Sequence, residues 1–392
     1  MIHIGFDARF AGIAQGGVGR YVERVVKALG ESKEHFTMTL FLQRFNWGLF
    51  SYLDERFRRV LADVPWYGWR EQIALPSLFR RARCDFYHVP HFNVPLRMPC
   101  PFVCTIHDLI MWEESGARLS THRKVVARVK ERAMRAVVRR ALRRAAHCIV
   151  PSRWTAGRLT SITRIAPERV TVIPEGADAL MRVLSRPWEE VCARYHVALP
   201  YVLCVGSAYP HKQTTLIIDA VASLTSIHPH LHLVHAGPLH PPSFARALEG
   251  YGKNALGKRY HEVGMVPDEI LTTLYRHATA YVSASRMEGF ALPALEAMWH
   301  HTPVIAPASS CFPELLGDAA MYTTPGDASS IAHAINALIK SPDTRGRYAE
   351  RGTILARTYQ WSRHAEALLQ LYHLLHGQSQ TDADLTQTGA DV

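Results

Sequence analysis

A chain of 392 residues with 48% apolar and 20% charged content is too long for one comfortable core and reads as a folded two-domain protein. No run approaches about eighteen uncharged apolar residues, which excludes a membrane-spanning helix. The opening Met1-Ile-His-Ile-Gly-Phe-Asp-Ala-Arg9 reads as a strand ending in charges rather than a signal peptide. The formal net charge of +11 is concentrated, because residues 118 to 147 hold eleven Lys and Arg against one acid, Glu131, a local field that implies an anionic partner.

The first strand, 2–6, leads into a Gly-rich loop from Gly12 to Gly19. A helix follows on which Val18, Tyr21, Val22, Val25, Val26 and Leu29 recur at helical spacing. Strand, glycine turn and helix open a Rossmann-like unit, although Gly16-Gly17-Val-Gly19 is not the dinucleotide fingerprint. It is either a tight turn or a backbone surface that closes on a ligand. Runs at 37–42, 85–89, 102–106 and 147–150 have the β-branched and apolar content of parallel strands covered on both faces. His107 and Asp108 stand at the carboxyl end of the strand at 102–106, where open α/β sheets bind ligands. Asp108 is read as orienting the imidazole or the loop. His88 and His91 flank a Pro near the same edge, but no third ligand makes a metal site. Between Val125 and Ala145, Val125, Val129, Ala133, Ala136, Val137, Ala141 and Ala145 form one narrow helical stripe, with Arg139, Arg140, Arg143 and Arg144 on the remaining faces. That helix is expected to meet an anionic membrane leaflet or an acceptor carrying a lipid diphosphate. Seven cysteines at irregular spacing suit reduced, buried thiols in a cytosolic protein, and Cys100-x3-Cys104 lacks the second pair a zinc site needs.

Residues 170–178 read as a strand running into a turn, and the polar stretch 178–198 as an interdomain linker. The second unit is expected to have strand 201–206, the loop Ser207-Ala-Tyr-Pro-His-Lys212, helix 214–227, strand 231–236, strand and turn 260–267, and helix 269–277. Ala280-Tyr-Val-Ser-Ala-Ser285 follows as a short buried strand, then a Glu288-Gly289 turn and a helix from about Pro293 to His300. Pro suits a helix start because its missing N–H has no intrahelical partner there. The N–H groups of Phe290, Ala291 and Leu292 would then face an anion such as a phosphate. Glu296 cannot bind that phosphate and is read as accepting hydrogen bonds from a diol such as a ribose. Two acids beside a phosphate cradle suggest a nucleotide-sugar site. Beyond it come strand 303–306, a turn at 313–317, a strand at 320–322, helix 328–340, an amphipathic helix from Tyr359 to Leu375, and a polar, structureless tail from Gly377. Asp382-Ala-Asp384 lies in that tail and is discounted as a metal motif.

Glu288-x7-Glu296 within Ser-Arg-Met-Glu-Gly-Phe-Ala-Leu-Pro-Ala-Leu-Glu, followed by Thr302-Pro-Val-Ile, resembles the retaining glycosyltransferases of family 4. The resemblance extends over nearly the whole chain, through Gly16-Gly-Val-Gly-Arg-Tyr21, Ile106-His-Asp-Leu109, Ile173-Pro-Glu-Gly-Ala-Asp178 and His211-Lys212. It implies the α/β GT-B fold, two Rossmann-like domains with parallel sheets facing each other across a cleft. The expected divisions are 1–180 for the acceptor, 181–358 for the nucleotide sugar, 359–376 as a helix crossing back to the first domain, and 377–392 as tail.

The resemblance further implies that Gly16 and Gly17 close on the sugar or acceptor, that His107 faces the transferred sugar and that Lys212 binds the diphosphate. By the same resemblance Glu288 holds sugar hydroxyls, while backbone at Gly264, Met265 and Val266 contacts the base. Departing diphosphate needs positive charge in place before reaction. Lys212 and the helix start supply it, so no obligatory metal or other cofactor is expected. Three positions depart from the family pattern. Ser207 stands where an Arg is common, leaving His211 or Arg286 as substitute cations. Ala291 replaces a Gly, and His301 replaces the Gly before Thr-Pro-Val and is expected in a left-handed conformation. The expected activity is transfer of a hexose, first mannose from GDP-mannose, to a hydroxyl of a lipid-linked cell-surface glycan. It is expected in the cytoplasm, on the inner face of the membrane. Rhamnosyl or glucosyl transfer, or non-catalytic nucleotide or glycan binding, are the alternatives.

Overall fold

The computed structural model describes residues 1–12, 16–99, 101–113, 124–239 and 241–388, without the side chains of 124–131 and 378–388. It divides into two compact units. The first is built from Met1–Trp112, Lys124–Glu175 and the chain from Trp361 on, the second essentially from Gly176–Gln360.

Seven parallel strands form the sheet of the first unit: β1 (Ile2–Asp7), β2 (Phe36–Leu42), β3 (Phe57–Leu61), β4 (Phe86–Val89), β5 (Phe102–Thr105), β6 (His147–Val150) and β7 (Val170–Val172). Their order is β3-β2-β1-β4-β5-β6-β7. The order reverses between β1 and β4, so the loops after β1, β4 and β5 gather at the crevice where such sheets take ligands. β1, β4, β5 and β6 are buried almost throughout, in keeping with their apolar runs. The edge strand β3 was not legible, because Phe57-Arg-Arg-Val-Leu61 carries two charges toward solvent.

The helix after β1 is Gly16–Glu31, with Tyr21, Val22, Val25, Val26 and Leu29 buried as the spacing predicts. Gly16 and Gly17 therefore belong to its first turn rather than to a free loop, and Gly16 enters it at φ +71°. Residues 13–15 lie outside the described residues. The final helix, Trp361–Thr388, starts two residues later than expected and continues past Gly377, where a structureless tail is expected. A helix anchored by its packed turns extends at little further cost, since each added residue gains one hydrogen bond.

In the second unit six parallel strands run β10-β9-β8-β11-β12-β13. They are β8 (Tyr201–Val205), β9 (His232–Ala236), β10 (Tyr260–Gly264), β11 (Ala280–Val282), β12 (Val304–Pro307) and β13 (Ala320–Thr323). Here the order reverses between β8 and β11, placing the loops beginning at Gly206 and Ser283 side by side. The stretch read as an irregular linker contains the helix Trp188–Tyr195, whose Val191 is fully buried and whose Trp188 stacks on Tyr201 at 5.9 Å. Its two first-turn acids suit the helix dipole, a signal outweighed in the sequence by the surrounding Pro and Arg. The expected turn at 313–317 is the short helix Phe312–Leu316.

Candidate functional site

Lys212 and Glu288 meet in the second unit. The loop after β8 closes with a 3₁₀ turn, Pro210–Lys212, and the lysine Nζ donates to Glu288 Oε1 at 2.5 Å. Both side chains are mostly but not fully buried, at 22% and 16% exposure. They border a pocket lined by Gly206, Ser207, Thr214, His235 and the 281–284 segment, at the carboxyl ends of β8, β9 and β11. Ser207 is thus where the sequence expects it, without a cationic side chain. Of the two substitute cations, His211 does not serve. Burial, and then Lys212, push its imidazole down to about 4, so it is neutral at pH 7. Arg286 is exposed, with its N–H donating to His211 O at 2.8 Å.

Tight backbone packing shapes this pocket. Gly206 and Gly237 have φ +153° and +147°, and Gly206 N–H donates to Ala236 O at 2.9 Å. A Cβ on Gly237 would stand 2.1 Å from Gly206 O, so only glycine fits. His235 Nε2 lies 3.0 Å from the same oxygen, and burial lowers its pKa to about 4, leaving a neutral ring that donates there. The sequence reading missed Ser310, whose Oγ accepts from Glu288 N–H at 2.9 Å and donates to Glu288 O at 2.8 Å. Ser310 is 22 residues beyond Glu288, and no local signal marks it.

The helix after Glu288 is Leu292–Trp299, one residue earlier than expected at each end, with Pro293 in its first turn. Phe290 and Ala291 are buried. His301 has φ +61° as expected, and Thr302 N–H to Ala297 O with His301 N–H to Met298 O close a Schellman motif. Glu296 is only 3% exposed, and its Oε2 accepts from Tyr275 Oη at 3.1 Å. Its carboxylate thus already has a protein partner, which the diol reading did not foresee. Gly264 is buried with φ +68° and its carbonyl accepts from Gly237 N–H at 2.9 Å, while Met265 is half exposed and Val266 partly buried.

In the first unit His107 lies at the end of β5, tied by both ring nitrogens. Nδ1 is 3.1 Å from Glu175 Oε1, and Nε2 is 3.1 Å from Pro90 O. The Tyr21 and His107 rings form a T-shaped pair with centroids 4.5 Å apart. Burial opposes the charged ring, but the Glu175 hydrogen bond and charge outweigh it and hold the imidazole above its ordinary pKa. Asp108 Oδ1 accepts from Ile110 N–H at 2.9 Å, which fixes the loop. Tyr21 Oη and Pro174 O hold His364 on the last helix, and Thr105 and Tyr372 hold His88. Arg9 is fully buried between Asp7 and Glu71 at 2.8 Å each, so the charges that end the first strand form an internal strut. Among the described residues no group of three or more His, Cys, Asp or Glu could hold a metal ion.

The basic helix spans Lys124–Arg144. Val138, Ala141 and Leu142 on it and Ala145 just past its end are buried, whereas Ala133 and Ala136 are exposed. Ala141 and Ala145 of the stripe read in the sequence are thus buried as expected, but they share their face with the larger Val138 and Leu142, which turns the packed side away from Ala133 and Ala136. Val125 and Val129 lie where side chains are not described. Arg140 and Arg144 donate to Leu96 O at 3.1 and 2.7 Å, Arg144 also reaches Met98 O at 2.8 Å, and Arg139 lies over Trp112 at 5.2 Å. Three of the four arginines thus have neighbours of their own, which their side-chain length allows without burying the charge. Arg143 is exposed.

Two family models match the chain: Glycosyltransferase Family 4 over residues 15–179, and Glycosyl transferases group 1 over residues 197–354. An Escherichia coli protein, O-antigen chain mannosyltransferase B, is 34% identical over 113 residues, 29% of this chain and 30% of its own. The Salmonella typhimurium O-antigen chain mannosyltransferase RfbU is 24% identical over 288 residues, 74% of each chain. The chain spans about a third to a half of the length of the first curated relatives it matches. Among solved structures, Anabaena Alr3699/HepE in complex with UDP-glucose superposes with TM-score 0.74 at 17% identity, over 95% of this chain and 99% of that one. No helix among the described residues is long and apolar enough to cross a membrane.

Proposed function

Because the chain belongs to glycosyltransferase family 4, we propose that it transfers a hexose from a nucleotide diphosphate sugar to a hydroxyl of a glycan, with retention of configuration. The observation that carries this is the pairing of Lys212 with Glu288 beside the pocket at the reversal of the second sheet. A lysine there neutralises a departing diphosphate, and the N–H groups at 290–292 add donors at a helix start. Glu288 takes sugar hydroxyls, Glu296 with Tyr275 faces the ribose, and Gly264–Val266 takes the base. In the first unit, Gly16, Gly17 and His107 serve the sugar and acceptor. Mannose from GDP-mannose is the donor proposed first, supported by the mannosyltransferase relatives.

A lipid-linked acceptor on an anionic cytoplasmic leaflet is the partner we propose. Trp69 and Ile73, 75% and 67% exposed, stand one turn apart on the helix Trp69–Ala82. Gln72 of that helix accepts from Leu96 N–H, and Leu96 O is held by Arg140 and Arg144, so apolar and basic surface adjoin. Aromatic and aliphatic side chains beside arginines suit a bilayer interface.

A thermal-shift screen against GDP-, UDP-, ADP- and dTDP-sugars, followed by transfer assays with and without EDTA, tests the donor reading. GDP-mannose should raise the melting temperature, and transfer should survive chelation. No shift with any nucleotide sugar would overturn it. Sedimentation with anionic vesicles tests the partner, and changing Arg139, Arg140, Arg143 and Arg144 to Glu should abolish it.

A further inference from the structure

The geometry points to His107 as a fixed imidazolium whose charge Glu175 holds, so that it supplies positive charge at the mouth of the first sheet rather than a base. A neutral imidazole carries one N–H and one lone pair. Here both nitrogens face acceptors at 3.1 Å, the Glu175 carboxylate and the Pro90 carbonyl, and a carbonyl has no proton to give. A neutral ring beside an ionised Glu175 would set one lone pair against another in a mostly buried site, the His107 and Glu175 side chains being 15% and 9% exposed. A doubly protonated ring satisfies both contacts at once, and such charge-assisted bonds are the stronger kind.

The neighbours fit this assignment. Asp108 follows His107 in the chain and adds to the field favouring the cation. Tyr21, from the first helix, forms the T-shaped ring pair and gives its hydroxyl to the His364 contact. His88 and His91, on and after β4, and His364 on the last helix are all driven down by burial, to about 3, 3 and 4. They stay neutral at pH 7, leaving His107 as the charged ring of the group. Both N–H groups are engaged, so the ring neither abstracts a proton nor donates freely. Glu175 is then a positioning residue that also fixes the charge state of its partner.

This rests on the sugar-transfer reading only for its effect on turnover. Ring ¹H–¹⁵N correlation spectra of the full chain, with His107→Gln identifying the signal, test the charge state directly. At pH 7 both ring nitrogens of wild-type His107 should be protonated. Glu175→Gln should shift the ring's titration below that of wild type, and Glu175→Asp should restore part of the difference. Turnover of Glu175→Gln should fall more than that of wild type between pH 6 and 8, by roughly tenfold for each unit the pKa has moved. A single protonated nitrogen in wild type, including the case where Glu175 carries the proton, overturns the proposal. So does an unchanged pH profile in a Glu175→Gln protein whose ring has lost its proton. Donor-induced thermal shifts in these variants report on the second unit separately, so failure of the donor reading is distinguishable.

Discussion

Gly237→Ala is the sharpest test of the backbone packing behind the pocket beside Lys212. The new methyl would lie 2.1 Å from Gly206 O, 2.7 Å from its carbonyl carbon and 3.1 Å from its nitrogen, all backbone atoms. No side chain can swing aside, so the two strand ends must separate. The φ of +147° is itself disfavoured for alanine. Backbone strain of about 1–3 kcal/mol and overpacking of about 1–3 kcal/mol give a loss of about 2–6 kcal/mol. At about 2–4 °C per kcal/mol for a unit of this size, even the low end lowers the melting temperature by about 4–8 °C. Gly206 packs on Lys212, whose Cε would lie 3.5 Å from a Cβ built there, so its displacement moves the lysine and weakens donor binding. Calorimetry and donor titration measure the two effects. Gly250→Ala, inside the helix Pro242–Leu256 with nothing within 4 Å of its added carbon, is the control and should be neutral or stabilising. A Gly237→Ala protein that melts within a degree of wild type and binds donor equally would refute the reasoning.

Ser310→Gly removes the hydroxyl that grips both backbone polar groups of Glu288 without straining φ +59°. It should lose about 1–2 kcal/mol in turnover, roughly 5–30-fold, and unaltered turnover would show the clamp to be idle. Glu296→Gln should weaken nucleotide affinity by about 1.5–3 kcal/mol, and wild-type affinity by calorimetry would remove Glu296 from the donor site. Acid should destabilise the first unit. His88, His91 and His364 stay neutral when folded but protonate near 6.5 when unfolded, so their contribution is complete above pH 6.5 and is lost as pH falls. At pH 5.5 each costs about 1.4 kcal/mol. His107 has the opposite sign: its stabilisation is full below 6.5 and is lost as pH rises through its raised folded value. A melting temperature flat between pH 6.5 and 5.5 would contradict the buried-histidine assignment.

What could be read from the sequence was whatever local pattern determines. The strands β6 and β13 and the helix Ala328–Lys340 fall within a residue of their expected bounds, because apolar runs bounded by polar turns leave little freedom. His301 was readable as left-handed because it stands where the resembled family places a Gly before Thr-Pro-Val. What escaped depends on pairings distant in sequence. Glu175 meets His107 across 68 residues, and the Tyr275 hydroxyl meets Glu296 across 21. The burial that makes His211 neutral likewise comes from packing, whereas its place beside Lys212 suggested a second cation. The stripe on the basic helix was legible only in part: Ala141 and Ala145 are buried as read, but alanines mark a face weakly, and the larger Leu142 and Val138 turn the buried side away from Ala133 and Ala136.

The Lys212–Glu288 contact carries a consequence for the order of binding. The cation expected to hold a diphosphate is paired with the acid expected to hold the sugar, at 2.5 Å. The pair keeps 22% and 16% of its side-chain surface exposed, so solvent screens it and its net worth is about 0–1 kcal/mol. A diphosphate offers more negative charge and more acceptors than one carboxylate, so it displaces Glu288 from the lysine and frees it for hydroxyls. On the proposed roles of the two residues, diphosphate binding would ready Glu288 for the sugar. Glu288→Gln should separate the two roles with opposite signs. The competing charge is gone, so a nucleoside diphosphate without sugar should bind as well as in wild type or up to about fivefold tighter. Turnover should collapse, because the amide replaces the acceptor that fixes the sugar. Calorimetric titration of GDP and UDP beside a transfer assay reads both. Nucleoside diphosphate affinity that falls in step with turnover would mean that Glu288 supports the phosphate site and does not compete for it.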